Sequence, residues 1–506
     1  MGEPSHRQQG GYRPSRSRHP VPPDRRKNTR KKGSKHPLFE DGGFTLRAMR
    51  HRSLLVALAL VSTGAALVAA GAQQGSGGST TLTFSKDVAP IVFNKCASCH
   101  RPGEVAPMSL TSFKEVRPWA GAIREKVASR VMPPWHADRA YGTFRNNPSL
   151  SQAEIDTIVN WVNAGAPEGN PKDTPALPKF AEGWQIGKPD HVFEMASDFE
   201  IPARGTIDYQ YFEVPTNFTE DRWMQAGEVR AGDKAHVHHI IVYVREPQAR
   251  PRANVVSIRP IFAAGERPSL PSPTTTTAGA GVGAAPRAAT TRTSDNMLVN
   301  WAVGEDAPVF LPGQAKRIPA GSTLIFQVHY TTNGTAGRDR SRLGVIFTKE
   351  PPTQEVRTSA IANPLFAIPG GAADHEVQAE ATFNEDVKVW TMHPHMHLRG
   401  KDMTYTAIYP DGRKEIVLRV PKFDFGWQTD YWLSQPLSLP KGSKLHVVAH
   451  FDNSAANKAN PDPTATVRWG DQTWEEMMIG FFTYTVEKPP AQARAGLTTE
   501  RAASSR

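Results

Sequence analysis

Two short stretches of this 506-residue chain hold the residue types that bind redox metals. The first is His393-Pro394-His395-Met396-His397-Leu398-Arg399-Gly400, with histidine at every second position. The preceding run, Val387 to Met392, reads as a strand, and side chains alternate faces along a strand, so the three imidazoles are expected on one side. Imidazole is the commonest metal-binding side chain, and this spacing brings two ring nitrogens within reach of one ion. Taken alone, a solvated polar face fits the run too. The second stretch, Cys96-Ala97-Ser98-Cys99-His100, contains the only two cysteines of the chain. Cys-x-x-Cys-His is the attachment signature of a c-type haem: the thiols add to the vinyl groups and the histidine ligates iron. A disulfide or a zinc site is the alternative, and zinc would want further ligands at comparable spacing.

The haem motif follows a helical pattern, Val88, Ile91 and Val92 behind a Ser85 cap. Ser112 with Glu115 and Ser151 with Glu154 are capping-box pairs. The apolar stripe Ile155, Ile158, Val159 and Val162 stops at Gly165-Ala166-Pro167. Residues 82–170 thus read as a small all-α domain. A second axial ligand is expected at Met132, in Val131-Met132-Pro133-Pro134-Trp135-His136 after the helix Trp119 to Arg130. Its rival Met108 is only eight residues past His100, with little chain to cross the haem plane. The order of haem-binding helix, Met loop and final amphipathic helix resembles class I cytochrome c domains.

A proline-rich linker, 171–189, follows, and the chain changes character. From Phe193 the apolar runs are short, β-branched or aromatic and bounded by Pro and Gly: Ile240–Val244, Thr323–Tyr330, Leu343–Phe347, Met403–Tyr409, Ile416–Val420, Leu445–Phe451 and Met478–Val486. This predicts antiparallel strands, with a hairpin at Asp411-Gly412. Residues 266–295 are low-complexity and read as a loop, and a break near Lys349 to Thr353 divides two all-β units, 190–350 and 354–487. His238-His239 opens one strand. His329 lies in another, on the face opposite Leu324, Phe326, Val328 and Tyr330. Met477 stands in Trp474-Glu475-Glu476-Met477-Met478. Singly, each reads as an ordinary histidine or a core methionine.

Together they carry a resemblance. From about residue 190 to 487 the chain resembles the copper type II, ascorbate-dependent monooxygenases, the family of peptidylglycine α-hydroxylating monooxygenase and dopamine β-monooxygenase. Val237-His238-His239 matches that family's His pair, and Gln327-Val328-His329-Tyr330 the segment with the third histidine. His395-Met396-His397-Leu398-Arg399-Gly400 matches its His-x-His-Leu-x-Gly segment, and the thioether ligand falls on Met477. The resemblance implies two jelly-roll-like sandwiches with two coppers per chain. His238, His239 and His329 would hold the electron-supplying copper. His395, His397 and Met477 would hold the one that meets dioxygen and hydroxylates a C–H bond. His236 shares a strand face with His238 and competes with His239; the match selects 238 and 239. His393 stands where peptide-hydroxylating members have Arg, and Ile479 and Phe481 where they have Asn and Tyr. A glycine-extended peptide is therefore not the expected substrate; with Trp474, these residues suggest a more apolar small molecule.

The net charge of +11 is concentrated at the N-terminus. Residues 1–52 hold 14 Lys and Arg against 4 Asp and Glu, and the rest of the chain 46 against 45, which removes the support for nucleic-acid binding. Ser53 to Ala72 is apolar, with Arg47, Arg50 and Arg52 before it and Ala70-Gly71-Ala72 at its end. It reads as a secretory signal, and is also long enough to stay as a membrane anchor. Met49 is the expected start. The expectation is an exported, periplasmic protein in which one covalent haem c replaces ascorbate, passing electrons from a redox donor to two coppers. Residues 1–81 and 488–506 are read as leader with linker and as tail.

Overall fold

The computed structural model describes residues 81–487, apart from 105, 182, 248–254, 263–295, 303 and 306. The signal or anchor segment 53–72, Met49, the loop 266–295 and the tail lie outside the described residues. Among the described residues no helix is long and apolar enough to cross a membrane.

The first part is helical. A π-helical turn, Phe84–Val88, runs into the helix Ala89–Lys95, followed by Phe113–Val116, Ala120–Ala128 and Gln152–Asn163. Ser85 is not the cap. The chain turns at Thr83, whose N–H and hydroxyl donate to the Asp87 carboxylate, and Ser85 is buried inside the first turn. Ser151 and Glu154 form the reciprocal capping box. Ser112 and Glu115 do not: the Glu115 carboxylate takes the Thr111 N–H and the Thr111 and Ser112 hydroxyls, and Ser112 Oγ caps no helix N–H. Phe84, Val92, Phe93, Val116, Ile155, Ile158 and Trp161 make one core. In the last helix Trp161 is buried, while Val159 and Val162 only flank it. Its indole N–H donates to Pro167 O, closing the block on itself.

The remainder is β structure in two sandwiches that share a sheet. An eight-stranded sheet runs in the order His191–Glu194, Arg342–Phe347, Arg222–Arg230, Gln314–Ile318, Gln354–Ala362, Ile479–Val486, Val387–His395, Tyr431–Leu439. Its first four strands face a four-stranded sheet, Gln210–Pro215, Thr323–Tyr330, Val237–Arg245 and Met297–Ala302. Between them lie Val229, Ile240, Val242, Leu324, Phe326 and Leu343. The last four face a five-stranded sheet that includes Gly400–Ile408, Lys444–Phe451 and His375–Phe383, over Val389, Met403, Tyr405, Val447 and Phe482. The halves join where Gln354–Glu355 pair in parallel with Gln314–Ala315. One strand crosses over: Val256–Ile261 comes early in the chain yet forms the edge of the five-stranded sheet, paired with His375–Phe383. Its Pro260 is tolerated because an edge strand needs hydrogen bonds on one side only.

Sequence alternation is visible at Thr323–Tyr330. Leu324, Phe326, Val328 and Tyr330 enter the sandwich core, while Gln327 and His329 turn outward. That outward face is not solvated. Ile241 and Tyr243 pack there against Ile479, Phe481 and Ala360 of the second half, so the halves meet face to face. The helical part docks on both. Asn146 bridges Asp430 O and the Trp432 N–H, Trp135 lies edge-on to Tyr431 at 4.9 Å, and Lys234 Nζ donates to Gly103 O and Glu104.

Candidate metal centres

Adjacent strand residues normally point to opposite faces, so His238 and His239 could not share a site in a regular strand. The pairing of Val237–Arg245 with Thr323–Tyr330 breaks there. Val237 faces Tyr330, His239 faces His329, and His238 is skipped, a bulge that turns both imidazoles the same way. The ligand atoms of His238, His239 and His329 lie within 4.8 Å of one another. Nδ1 of His238 is 3.1 Å from Nδ1 of His239, and Nδ1 of His329 is buried without a hydrogen bond. Burial holds His238 down to about 4 and, with help from neighbouring imidazoles, His329 to about 3 and His239 well below its usual value. All three are therefore neutral at pH 7 and able to offer a lone pair. His236 is not part of the group: its Nδ1 meets Asp233 Oδ2 at 2.7 Å and its Nε2 meets Thr335 O at 3.1 Å. Both ring nitrogens are occupied.

The second centre is built at the end of the strand Val387–His395. Pro394 pairs with Gly480 on one side only, beyond Met392, where the partnership with Tyr431–Leu439 has ended. His395 and His397 then lie 5.3 Å apart, ring centre to ring centre. His397 Nδ1 donates to Glu475 O at 3.2 Å, leaving Nε2 buried without a hydrogen bond. His395 Nδ1 donates to Gln428 Oε1 at 2.5 Å. In each ring one nitrogen is fixed as N–H and the other is left basic, the arrangement that metal-binding histidines use. Both rings are kept neutral, His395 at about 4 and His397 well below its usual value, first by burial and then by nearby imidazoles.

The segment Glu475-Glu476-Met477 is clamped to this turn. Glu476, fully buried, accepts the N–H groups of His397 at 2.8 Å and Arg399 at 2.6 Å. Arg399, also buried, reaches Asn453 and Trp474 O. Burial pushes the Glu476 carboxyl up to about 8, against the pull of those N–H groups and of Arg399. The clamp holds Glu475 and Glu476, the residues just before Met477, against the His397 turn. Met478 is wholly buried in the sandwich core, and Met477 is half-buried.

Phe425 lies between the two centres and carried no signal in the sequence. Its ring stacks on His238 at 5.0 Å, and it meets His329 at 6.0 Å and His397 at 6.1 Å. Tyr209 covers His329 and His239 from another side. Gln428 orients His395 and also donates to Phe425 O. These residues come from loops without periodicity.

His393 parts company with its two neighbours. Its Nδ1 is 3.1 Å from Asp430 Oδ1 and 3.9 Å from Glu305 Oε1, and its ring touches Phe481. Phe481 and Ile479, expected near substrate, are packed between the halves, while Trp474 is exposed.

In the helical part Cys96 and Cys99 are not joined in a disulfide, and Cys96 is pushed up to about 12 by burial, by Cys99 and by Glu154. His100 Nδ1 donates to Met108 O at 3.2 Å, so Nε2 is the nitrogen available to iron. Met108 also packs on the helical core, as Cys96 does. Met132 is half-buried after the helix Ala120–Ala128, its N–H on Lys126 O. Two thiols and the His100 Nε2 are the donor types a covalent haem would use.

No family model matches the chain, and no curated protein matches it. Among solved structures it is similar to a protein from Eubacterium rectale (11% identity, 55% of this chain and 69% of that one, TM-score 0.16). It is also similar to the structure of the infectious bursal disease virus Gt strain (11% identity, 65% and 85%, TM-score 0.15). At these TM-scores neither likeness carries an argument.

Proposed function

We propose that the chain is an exported copper monooxygenase, built from two jelly-roll-like domains, with its own cytochrome c domain as electron donor. The observation that carries this reading is the pair of neutral histidine clusters on either side of the Phe425 ring. On this reading Cys96 and Cys99 hold the haem, with His100 and Met132 as axial ligands. His238, His239 and His329 hold one copper, and His395, His397 and Met477 the other. When bound, these groups would supply single-electron transfer and dioxygen activation for hydroxylating a C–H bond of a small organic substrate. The softer His/His/Met set suits the centre that meets oxygen.

The protein's own tasks follow from the contacts. Gln428 and Glu475 O fix the tautomers of His395 and His397. The Arg399–Glu476 clamp keeps the Met477 segment against them. Lys234, four residues before His238, pairs with Glu104 of the loop that follows His100, and so ties the haem-motif loop to the segment that leads into the three-histidine centre. Phe425 packs its ring against imidazoles of both centres. Oxygen uptake that requires a substrate, and that disappears in His395→Ala and Met477→Ala, tests the reading; uptake unchanged in both variants would refute it.

A second reading is a non-catalytic haem and copper electron-transfer protein on the same scaffold. The burial of Phe481 and Ile479 between the halves favours it, because it leaves less room for substrate there. Two coppers and one haem per chain with no substrate-dependent oxygen uptake would select this reading.

A further inference from the structure

We propose that Glu305, His393 and Asp430 form a third cation site, for a divalent ion of the zinc or manganese type, that ties the two sandwiches together. Glu305 follows the strand Met297–Ala302 of the first half. His393 lies in Val387–His395, and Asp430 immediately precedes Tyr431–Leu439, both in the second. One ligand atom from each lies within 4.8 Å of the other two.

The geometry suits an ion better than a hydrogen-bonded triad. His393 Nδ1 is buried and makes no hydrogen bond, although carboxylate oxygens stand 3.1 Å and 3.9 Å away. The oxygens lie off the N–H direction, whereas a cation among the three atoms needs only their lone pairs. Glu305 is already oriented: the Asp430 N–H donates to its Oε1 at 2.7 Å, and the Ala302 N–H and Asn300 amide to its Oε2. Metal ligands are commonly held by such outer hydrogen bonds.

Charge points the same way. Two carboxylates converge in a place where the Glu305 side chain is 7% exposed. Lys316 is near enough to Asp430 to feel its charge, yet its ammonium donates elsewhere, to Met297 O, Leu298 O and Thr358 Oγ1. One imidazole and two carboxylates form a hard, mixed N/O set that suits zinc or manganese over Cu(I). The site is distinct from the His395/His397 centre but adjacent to it, since Phe481 touches both His393 and His395. The inference stands whether or not copper occupies that centre.

The test uses the full-length protein, first loaded with copper, then dialysed against Zn2+ or Mn2+, with each element counted by mass spectrometry. The wild type is expected to take up one more equivalent of zinc or manganese than Glu305→Gln/Asp430→Asn, with equal copper in both. Thermal unfolding of the wild type, but not of the variant, should shift upward with added zinc. Equal zinc and manganese contents in the two proteins would overturn the proposal. Should the double variant fail to fold, His393→Asn takes its place, and anomalous diffraction at the zinc edge of the wild type decides: no peak among the three residues overturns the site. Failure of the copper reading would appear separately, as a low copper count.

Discussion

Replacing Gln428 with leucine isolates what a positioning residue does for the second centre. Gln428 is 5% exposed, and its Oε1 accepts from His395 Nδ1 at 2.5 Å while its Nε2 donates to Phe425 O at 3.2 Å. Leucine keeps most of the volume and removes both bonds. In the metal-free protein the His395 N–H is left buried without an acceptor, which costs about 1–3 kcal/mol. In the loaded protein His395 loses the contact that fixes its tautomer and raises its basicity. Losing such an outer partner lowers metal affinity roughly 10- to 100-fold, or about 1.4–2.8 kcal/mol. The assay is competition for Cu(I) against a chromophoric chelator, beside urea unfolding of the metal-free proteins. Gln428→Glu, which retains an acceptor, should recover most of the affinity. If Gln428→Leu folds and binds Cu(I) within twofold of wild type, His395 is not a ligand held in this way.

Acid should destabilise the metal-free protein. His238, His329 and His395 are held neutral at about 4, 3 and 4, so stability is complete above the unfolded value near 6.5 and is lost as pH falls from there toward those values. Each pH unit removes up to about 1.4 kcal/mol per buried imidazole, and a urea midpoint that does not move between pH 7 and pH 5 would contradict this. Arg399→Ala keeps the backbone N–H bonds to Glu476 but removes the buried guanidinium's bonds to Asn453 Oδ1 and Trp474 O, and is expected to cost about 1–3 kcal/mol by chemical unfolding. A loss under 1 kcal/mol would show that the clamp is not structural. His236→Asn should lower stability by about 1–3 kcal/mol yet leave the copper count unchanged, because both ring nitrogens are already bonded within the protein. Loss of one copper from a folded variant would return His236 to the candidate ligands.

Period and composition made most strands readable, because apolar runs bounded by Pro and Gly have few other uses. Thr323–Tyr330 matches its expected limits and its two faces. The strand Val256–Ile261 was not legible, since Arg259 and Pro260 interrupt its pattern and its partner lies far along the chain. Alternation alone would have separated His238 from His239; a bulge joins them, and a bulge leaves no mark in composition. That Met478 is wholly buried in the sandwich core while Met477 is half-buried is not marked in the run Met477-Met478 itself. Gln428, Phe425, Glu305 and Asp430 come from connections between strands, where the side chain's task depends on what the fold brings opposite it.

The crossing strand also sets a schedule for making the protein. Val256–Ile261 leaves the ribosome more than a hundred residues before His375–Phe383, the strand it pairs with. At about 5–20 residues per second it waits on the order of ten seconds with its ladder groups unpaired. For that interval it is an open edge that other chains can join. Arg259, which later pairs with Glu380, puts a charge on that edge and discourages such pairing until the intended partner emerges. Synthesis of the first half alone would leave the edge permanently open, so a chain stopped before residue 375 is expected to aggregate.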